Sequence, residues 1–202
     1  GANCRNIILR GKGTICGGGQ ELARKIIEDE RARIKSFLDD NEELVKSCEN
    51  HDTIPGRVRP RLINLSNCEN VWISGLTLKN APSWNVHMIY CNDIQTDHCR
   101  FVSEGVWNGD GWDPDSSTHC TLFASEFSTG DDAVAIKSGK NPEGNEINRP
   151  CAHIKVFDCR SECGHGICIG SEMSGGVEDV QIWDCDLAES LSGIEIKATP
   201  KR

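Results

Sequence analysis

Nowhere in the 202 residues is there an apolar run long enough to cross a bilayer, which excludes a transmembrane helix and a membrane partner. There is no basic excess either, since the net charge is −9. A nucleic-acid binder needs a cationic footprint, so nucleic acid is excluded as a partner. An acidic ligand would gain nothing from long-range steering and must be held by a few local cations. No secretory leader is visible, although the chain begins at Gly1 rather than Met and leaves room for an upstream segment. The stretch Gly11-Lys12-Gly13-Thr14-Ile15-Cys16-Gly17-Gly18-Gly19 lacks both the Lys-Ser/Thr ending of a phosphate loop and dinucleotide spacing. It reads as a tight turn.

Cysteine, by contrast, is abundant, with twelve copies. In a chain of this length they impose no disulfide framework, as they would in a short secreted one. Thiols packed as small hydrophobes suit a reducing compartment. A cytoplasmic location is therefore expected, with the periplasm or secretion as alternatives if a leader precedes Gly1.

The chain repeats itself. Short alternating strands recur at Val71-Trp72-Ile73, Ile94-Gln95-Thr96, Leu122-Phe123-Ala124, Ile154-Lys155-Val156 and Val180-Gln181-Ile182, with starts separated by 23, 28, 32 and 26 residues. A second set begins at Trp84, Trp112, Val134, Ile167 and Ile194. No helical period separates the strand pairs after Pro60. A fixed strand core with loops of variable length predicts an all-β chain folded as a right-handed parallel β-helix, a solenoid in which each coil buries its inward face on its neighbours. Cysteines fall in the same phase: Cys99, Cys159 and Cys185 are expected in one interior column with Leu76 and Phe127, and Cys68, Cys91 and Cys151 in another with His119 and Val177.

Residues 1–20 are expected to form the first coil or coils. Residues 21–58 break the pattern: Leu22, Ile26, Ile27, Ile34, Leu38, Leu44 and Val45 stand at near-helical spacing among charges and predict a helical insert, ended by Pro55, Gly56 and Pro60. Residues 59–202 are the main β-helix. The repeat is still in register at Ile194-Glu195-Ile196-Lys197 with no cap after it. An open coil edge is normally covered, so the chain is expected to be a fragment of a longer protein.

Two positions before each second strand lie Asp110, Asp132, His165 and Ser192, and three positions after its start lie His87, Asp115, Lys137, Gly170 and Lys197. Adjacent parallel strands are about 4.8 Å apart, so Asp110, Asp132 and His165 are expected to stack, with Asp131 beside them. An isolated Asp-Asp more often serves its own turn. Three carboxylates and an imidazole in one phase instead supply the parts of an acid/base glycosidase: crowding separates the carboxyl pKa values, and Lys137 and Lys197 are expected to hold an acidic sugar. A zinc set of Cys159, Cys163, His165 and Cys168 conflicts with strand alternation. A calcium site of Asp110, Asp131 and Asp132 is chemically reasonable.

The ordered segments Asn108-Gly109-Asp110-Gly111-Trp112-Asp113, Gly130-Asp131-Asp132, Gly164-His165-Gly166 and Ile196-Lys197 resemble the four motifs of the polygalacturonases, glycoside hydrolase family 28, over roughly residues 59–202. The resemblance implies hydrolysis of α-1,4-galacturonosyl bonds in pectin with inversion and without a metal or other cofactor. It implies Asp131 as general acid, Asp110 and Asp132 as the pair activating water, His165 in support, and Lys197, with Asn108, as substrate contacts. Two departures stand out: Gly109 where threonine is usual, and Glu195 where the last motif carries arginine. Losing that arginine removes a planar, permanent charge, for which Arg202 or Lys201 is expected to substitute, or the sugar differs. Lys137-Ser138-Gly139 with the long loop to Pro150, and Ser171-Glu172-Met173-Ser174-Gly175-Gly176, are similar to the exo-acting bacterial branch, which predicts release of terminal residues from an acidic oligosaccharide or polysaccharide. Two other readings remain open: a calcium-dependent pectic lyase, and a non-catalytic carbohydrate-binding β-helix.

Overall fold

The structure, a computed structural model, describes residues 1–41 and 59–198. Each coil contributes one strand to each of three parallel sheets, except that the last described coil gives none to the second. The first sheet contains β1 (Arg5–Arg10), β4 (Glu69–Ser74), β7 (Asn92–Asp97), β10 (Thr118–Phe123), β13 (Cys151–Phe157) and β16 (Val177–Trp183), stacked in that order. The second contains β2 (Thr14–Cys16), β5 (Thr77–Lys79), β8 (Arg100–Val102), β11 (Glu126–Ser128) and β14 (Arg160–Cys163). The third contains β3 (Ile63–Ser66), β6 (Val86–Ile89), β9 (Trp112–Asp115), β12 (Val134–Ile136), β15 (Ile167–Gly170) and β17 (Ile194–Lys197). The expected parallel β-helix is thus the observed fold. The second sheet was not distinguished by the pattern reading, because each of its strands follows a first-sheet strand after only two or three residues.

Alternation places Val71, Ile73, Ile94, Thr96, Cys120, Leu122, Ile154 and Val156 inside. The interior is filled by like-on-like stacking, such as Phe101 on Phe127 with centroids 4.6 Å apart and planes 4° from parallel. Offset ring stacking adds to the area that each ring buries.

The observed register corrects the sequence alignment in two coils. Ile94 pairs with Cys120, not Leu122, and Cys120 pairs with Ile154. In the third sheet Val86, not Trp84, pairs with Trp112, so His87 lies opposite Asp113 rather than Asp115. Both errors are slips of two residues. A one-residue slip would turn every side chain to the wrong face, but a two-residue slip preserves the alternation and cannot be seen in it. The corrected columns run Cys68, Cys91, Ser117, Cys151 and Leu76, Cys99, Ser125, Cys159, Cys185. His119 and Phe127 leave these columns, and two serines replace them. Every described cysteine is a free thiol.

Gly17 and Gly19 lead from β2 into α1 (Gly19–Asp40). A Cβ on Gly19 would lie 2.1 Å from the Ala81 carbonyl carbon, so glycine permits the helix start to press on the next coil. Gln20 fixes it there, its amide N–H donating to Asn80 Oδ1 at 2.8 Å and its Nε2 to the Glu104 carbonyl at 3.0 Å. The rest of the predicted helical stretch lies outside the described residues. The expectation of no helix after Pro60 needs one amendment. A five-residue helix, α2 (Glu143–Ile147), sits in the loop between β12 and β13, too short for a 3.6-residue period to register.

Candidate active site

One edge of the third sheet gathers the predicted cluster. Trp112, Val134, Ile167 and Ile194 are in register on β9, β12, β15 and β17, and Asp110, Asp132, His165 and Ser192 each stand two residues before them. The turn residues make this edge possible. A Cβ on Gly111 would lie 2.5 Å from the Ala133 carbonyl oxygen and 2.6 Å from the Phe127 ring. The glycines flanking His165 are approached closely by backbone. Gly164 and Gly166 have φ of +84° and +77°, and a Cβ there would meet the carbonyls of Asp131 and Ser192 at 2.3 and 2.1 Å.

Asp132 is the hub. Lys197 Nζ lies 2.8 Å from its Oδ1 and 3.0 Å from its Oδ2. His165 Nδ1 is 3.2 Å from Oδ1 and 3.0 Å from Asp131 Oδ1. With carboxylates on both sides, that ring nitrogen carries the proton. The Cys168 thiol donates to Asp132 Oδ1 at 3.0 Å. Asp131 is more open, and Asn108 Nδ2 reaches its Oδ2 at 3.4 Å. Asn108 is held by the buried Arg59, whose guanidinium donates to Asn108 Oδ1 at 2.5 Å and to the Trp107 carbonyl at 2.6 Å.

Asp110 is set apart. Its side chain is 4% exposed, and its Oδ2 lies 3.6 Å from Lys137 Nζ. Its Oδ1 is buried without a protein hydrogen-bond partner. Burial raises its pKa to about 7; Lys137 opposes the shift and Asp131 and Asp132 add to it. Asp113, buried with both oxygens lacking hydrogen-bond partners, is pushed well above the usual carboxyl range by burial and then by Asp110. Burial works against the charge of Lys137, but Asp113, Asp110 and Glu172 overcome it and hold the ammonium above the ordinary lysine value. For Lys197 burial likewise opposes the charge and the Asp132 bond outweighs it. Burial and the adjacent Asp132 carboxylate raise the Cys168 thiol, keeping it a donor.

Asp131, Asp132, His165, Asn108 and Lys197 therefore meet in one run of contacts, with Asp110 beside them facing Lys137. Lys137 departs from its expected place as an open sugar contact: it is 5% exposed, its ammonium faces Asp110, and it sits 4.7 Å over the Trp84 ring, which the Arg61 guanidinium also covers at 3.9 Å. Arg202 and Lys201 lie outside the described residues. Sequence reasoning missed the Cys168 donor and the Arg59 clamp. Cys168 was legible in principle, because it stands beside Ile167 in the outward row with Ala135 and Glu195. Arg59 carried no local signal.

Asp131, Asp132 and His165 offer ligand atoms within 4.8 Å of one another, the one such group among the described residues. It differs from the calcium set of Asp110, Asp131 and Asp132, since Asp110 faces Lys137. Both Asp132 oxygens already face an ammonium, a donor set suited to proton transfer more than to a dication. The zinc set is dispersed, with Cys159 in the hydrophobic interior.

The sequence profile of Glycosyl hydrolases family 28 matches residues 1–202. The chain is 39% identical over 142 residues to a probable polygalacturonase of Vitis vinifera, covering 69% of this chain and 29% of that protein. It is 29% identical over 153 residues to endopolygalacturonase A of Aspergillus niger, covering 70% of this chain and 37% of that protein. A hyperthermoactive exopolygalacturonase from Thermotoga maritima superposes with a TM-score of 0.79 at 25% identity, over 100% of this chain and 48% of that one. The chain thus spans under half the length of each of these relatives.

Proposed function

The chain belongs to Glycosyl hydrolases family 28, and we propose that it hydrolyses α-1,4-galacturonosyl bonds of pectic oligosaccharides by inverting acid/base chemistry. The observation that carries the reading is the division of labour among three carboxyl groups in one cluster. Asp131 is the most open of them and touches His165 and Asn108, which suits it to protonate the leaving oxygen. Asp132 is ringed by the donors Lys197, His165 and Cys168, which orient it for the role of base. Asp110, with a pKa near 7 and an unpartnered buried oxygen, is matched to shared proton custody of an attacking water near neutrality. The probable polygalacturonase of grapevine and the Thermotoga exopolygalacturonase support the substrate class by name.

Exo action is the finer part of the proposal. Loops 138–150 and 171–176 are zipped together beside the sheet: Ser138 N–H donates to the Glu172 carbonyl at 2.7 Å, Gly175 N–H to the Ser138 carbonyl at 2.8 Å, and Lys140 pairs with Glu172 at 3.0 Å. The wall borders a half-open pocket of about 290 Å³ lined by Tyr90, Asp115, Lys140, Glu143 and Glu172, which supports the reading of a cleft blocked at one end.

Oligogalacturonides incubated in EDTA and followed by NMR test the proposal. Saturated galacturonate released first as the β-anomer, and lost in Asp131→Asn, is the expected result. An unsaturated product that requires calcium would replace the hydrolase with a lyase, and longer saturated fragments would replace exo with endo action.

A further inference from the structure

We propose that Cys168 is a positioning residue: its thiol fixes Asp132 in the orientation needed to activate water. The inference rests on the hydrolase reading above, but its geometry stands apart from it. Cys168 is fully buried, and it leaves the pattern that most interior cysteines share; Cys151 also departs from it, but toward a carbonyl, that of Pro114 at 3.5 Å. Cys68, Cys91, Cys99, Cys159 and Cys185 each direct their sulfur to the carbonyl two residues earlier, at Ser66, Ile89, Asp97, Phe157 and Trp183. They fill space and close their own corner. Cys168 instead sits within a strand, in the outward row of the third sheet, and sends its proton across to Asp132 Oδ1 of the preceding coil.

Asp132 needs that third donor. Lys197 engages both oxygens, and its long stem can follow the carboxylate as it rotates. The single His165 Nδ1 proton is divided between Asp131 and Asp132. The thiol, on a short side chain locked in a strand, is the contact that neither wanders nor is shared. It is a weak donor, strengthened here by the charge of its acceptor.

Two measurements test the proposal. In Cys168→Ala the expected kcat falls about tenfold, the effect of one lost hydrogen bond to a charged group, with KM little changed and the acid limb of the pH profile moved upward; Cys168→Ser restores both. A drop in thermal stability without movement of the acid limb, or failure of serine to rescue, would reduce Cys168 to packing. The second readout needs no substrate. The infrared S–H stretch of Cys168, isolated as a difference against Cys168→Ala, is expected below the bands of the other buried thiols and to rise in Asp132→Ala. A band unmoved by Asp132→Ala overturns the hydrogen bond itself, whereas a moved band with no galacturonan hydrolysis overturns only the hydrolase reading.

Discussion

Lys197 Nζ lies 2.8 Å from Asp132 Oδ1 across 65 residues of sequence. The solenoid creates this contact, because β15 and β17 are adjacent and Gly170 stands opposite Lys197. With no side chain at Gly170, the lysine is free to reach back across that coil to the turn before β12, two coils away. Lys197→Met is expected to cost about 100-fold in kcat, the scale of losing a charged donor aimed at a reacting group. Steady-state kinetics checks it, and a change confined to KM would move Lys197 from the carboxylate to the substrate.

Asp110 makes a prediction about stability. Its folded pKa of about 7 lies above the ordinary carboxyl value of 3.8, so the native state binds its proton more tightly than the unfolded chain does. By linkage, the contribution of Asp110 is most favourable below about pH 4 and declines as pH rises through about 7. The difference in unfolding free energy between the wild type and Asp110→Asn is expected to fall across that window. Denaturant titrations at several pH values measure it. A flat difference would mean that Asp110 is ionised throughout, as Lys137 at 3.6 Å would favour.

The turn that presents His165 makes a sharper contrast. Gly166 has φ +77°, and an added Cβ would sit 2.1 Å from the Ser192 carbonyl oxygen, whereas one on Gly193 would meet nothing within 4 Å. Gly166→Ala is expected to cost at least about 3 kcal/mol from backbone strain and clash together. Gly193→Ala is expected to be near neutral. Thermal melts of the two variants settle the comparison, and equal midpoints would show that the Gly166 turn relaxes.

What could be read without coordinates follows from periodicity. A phase error of one residue would have put Asp110 and Asp132 on opposite faces, so the carboxylate cluster was constrained by the alternation of Trp112, Val134 and Ile167. The two-residue slips at Leu122 and Trp84 carried no such penalty and went unseen. Lys137 shared a row with Lys197, yet its ammonium is buried, because Trp84 and the loop packed at Glu172 cover it. Loop packing of that kind has no period. The Arg59 clamp on Asn108 is long-range for the same reason, joining a corner of one coil to a turn about two coils away.

The corrected register can itself be tested at Ser125. It occupies the place of Cys99, Cys159 and Cys185 in the interior column, and its Oγ bonds the Phe123 carbonyl at 2.9 Å just as those sulfurs bond the carbonyl two residues before them. It also accepts the Cys99 amide N–H at 3.2 Å. Ser125→Cys repeats the neighbouring coils' solution and is expected to change stability by less than about 1 kcal/mol. Ser125→Ala strands a buried amide and is expected to cost about 1–3 kcal/mol, lowering the thermal midpoint by about 2–4 °C for each kcal/mol in a chain of this size. The alternative alignment puts Phe127 in this column and Ser125 outside it, where both substitutions would be silent. A midpoint that falls for alanine and holds for cysteine therefore reports the register directly. Equal midpoints for the two variants would return Phe127 to the column.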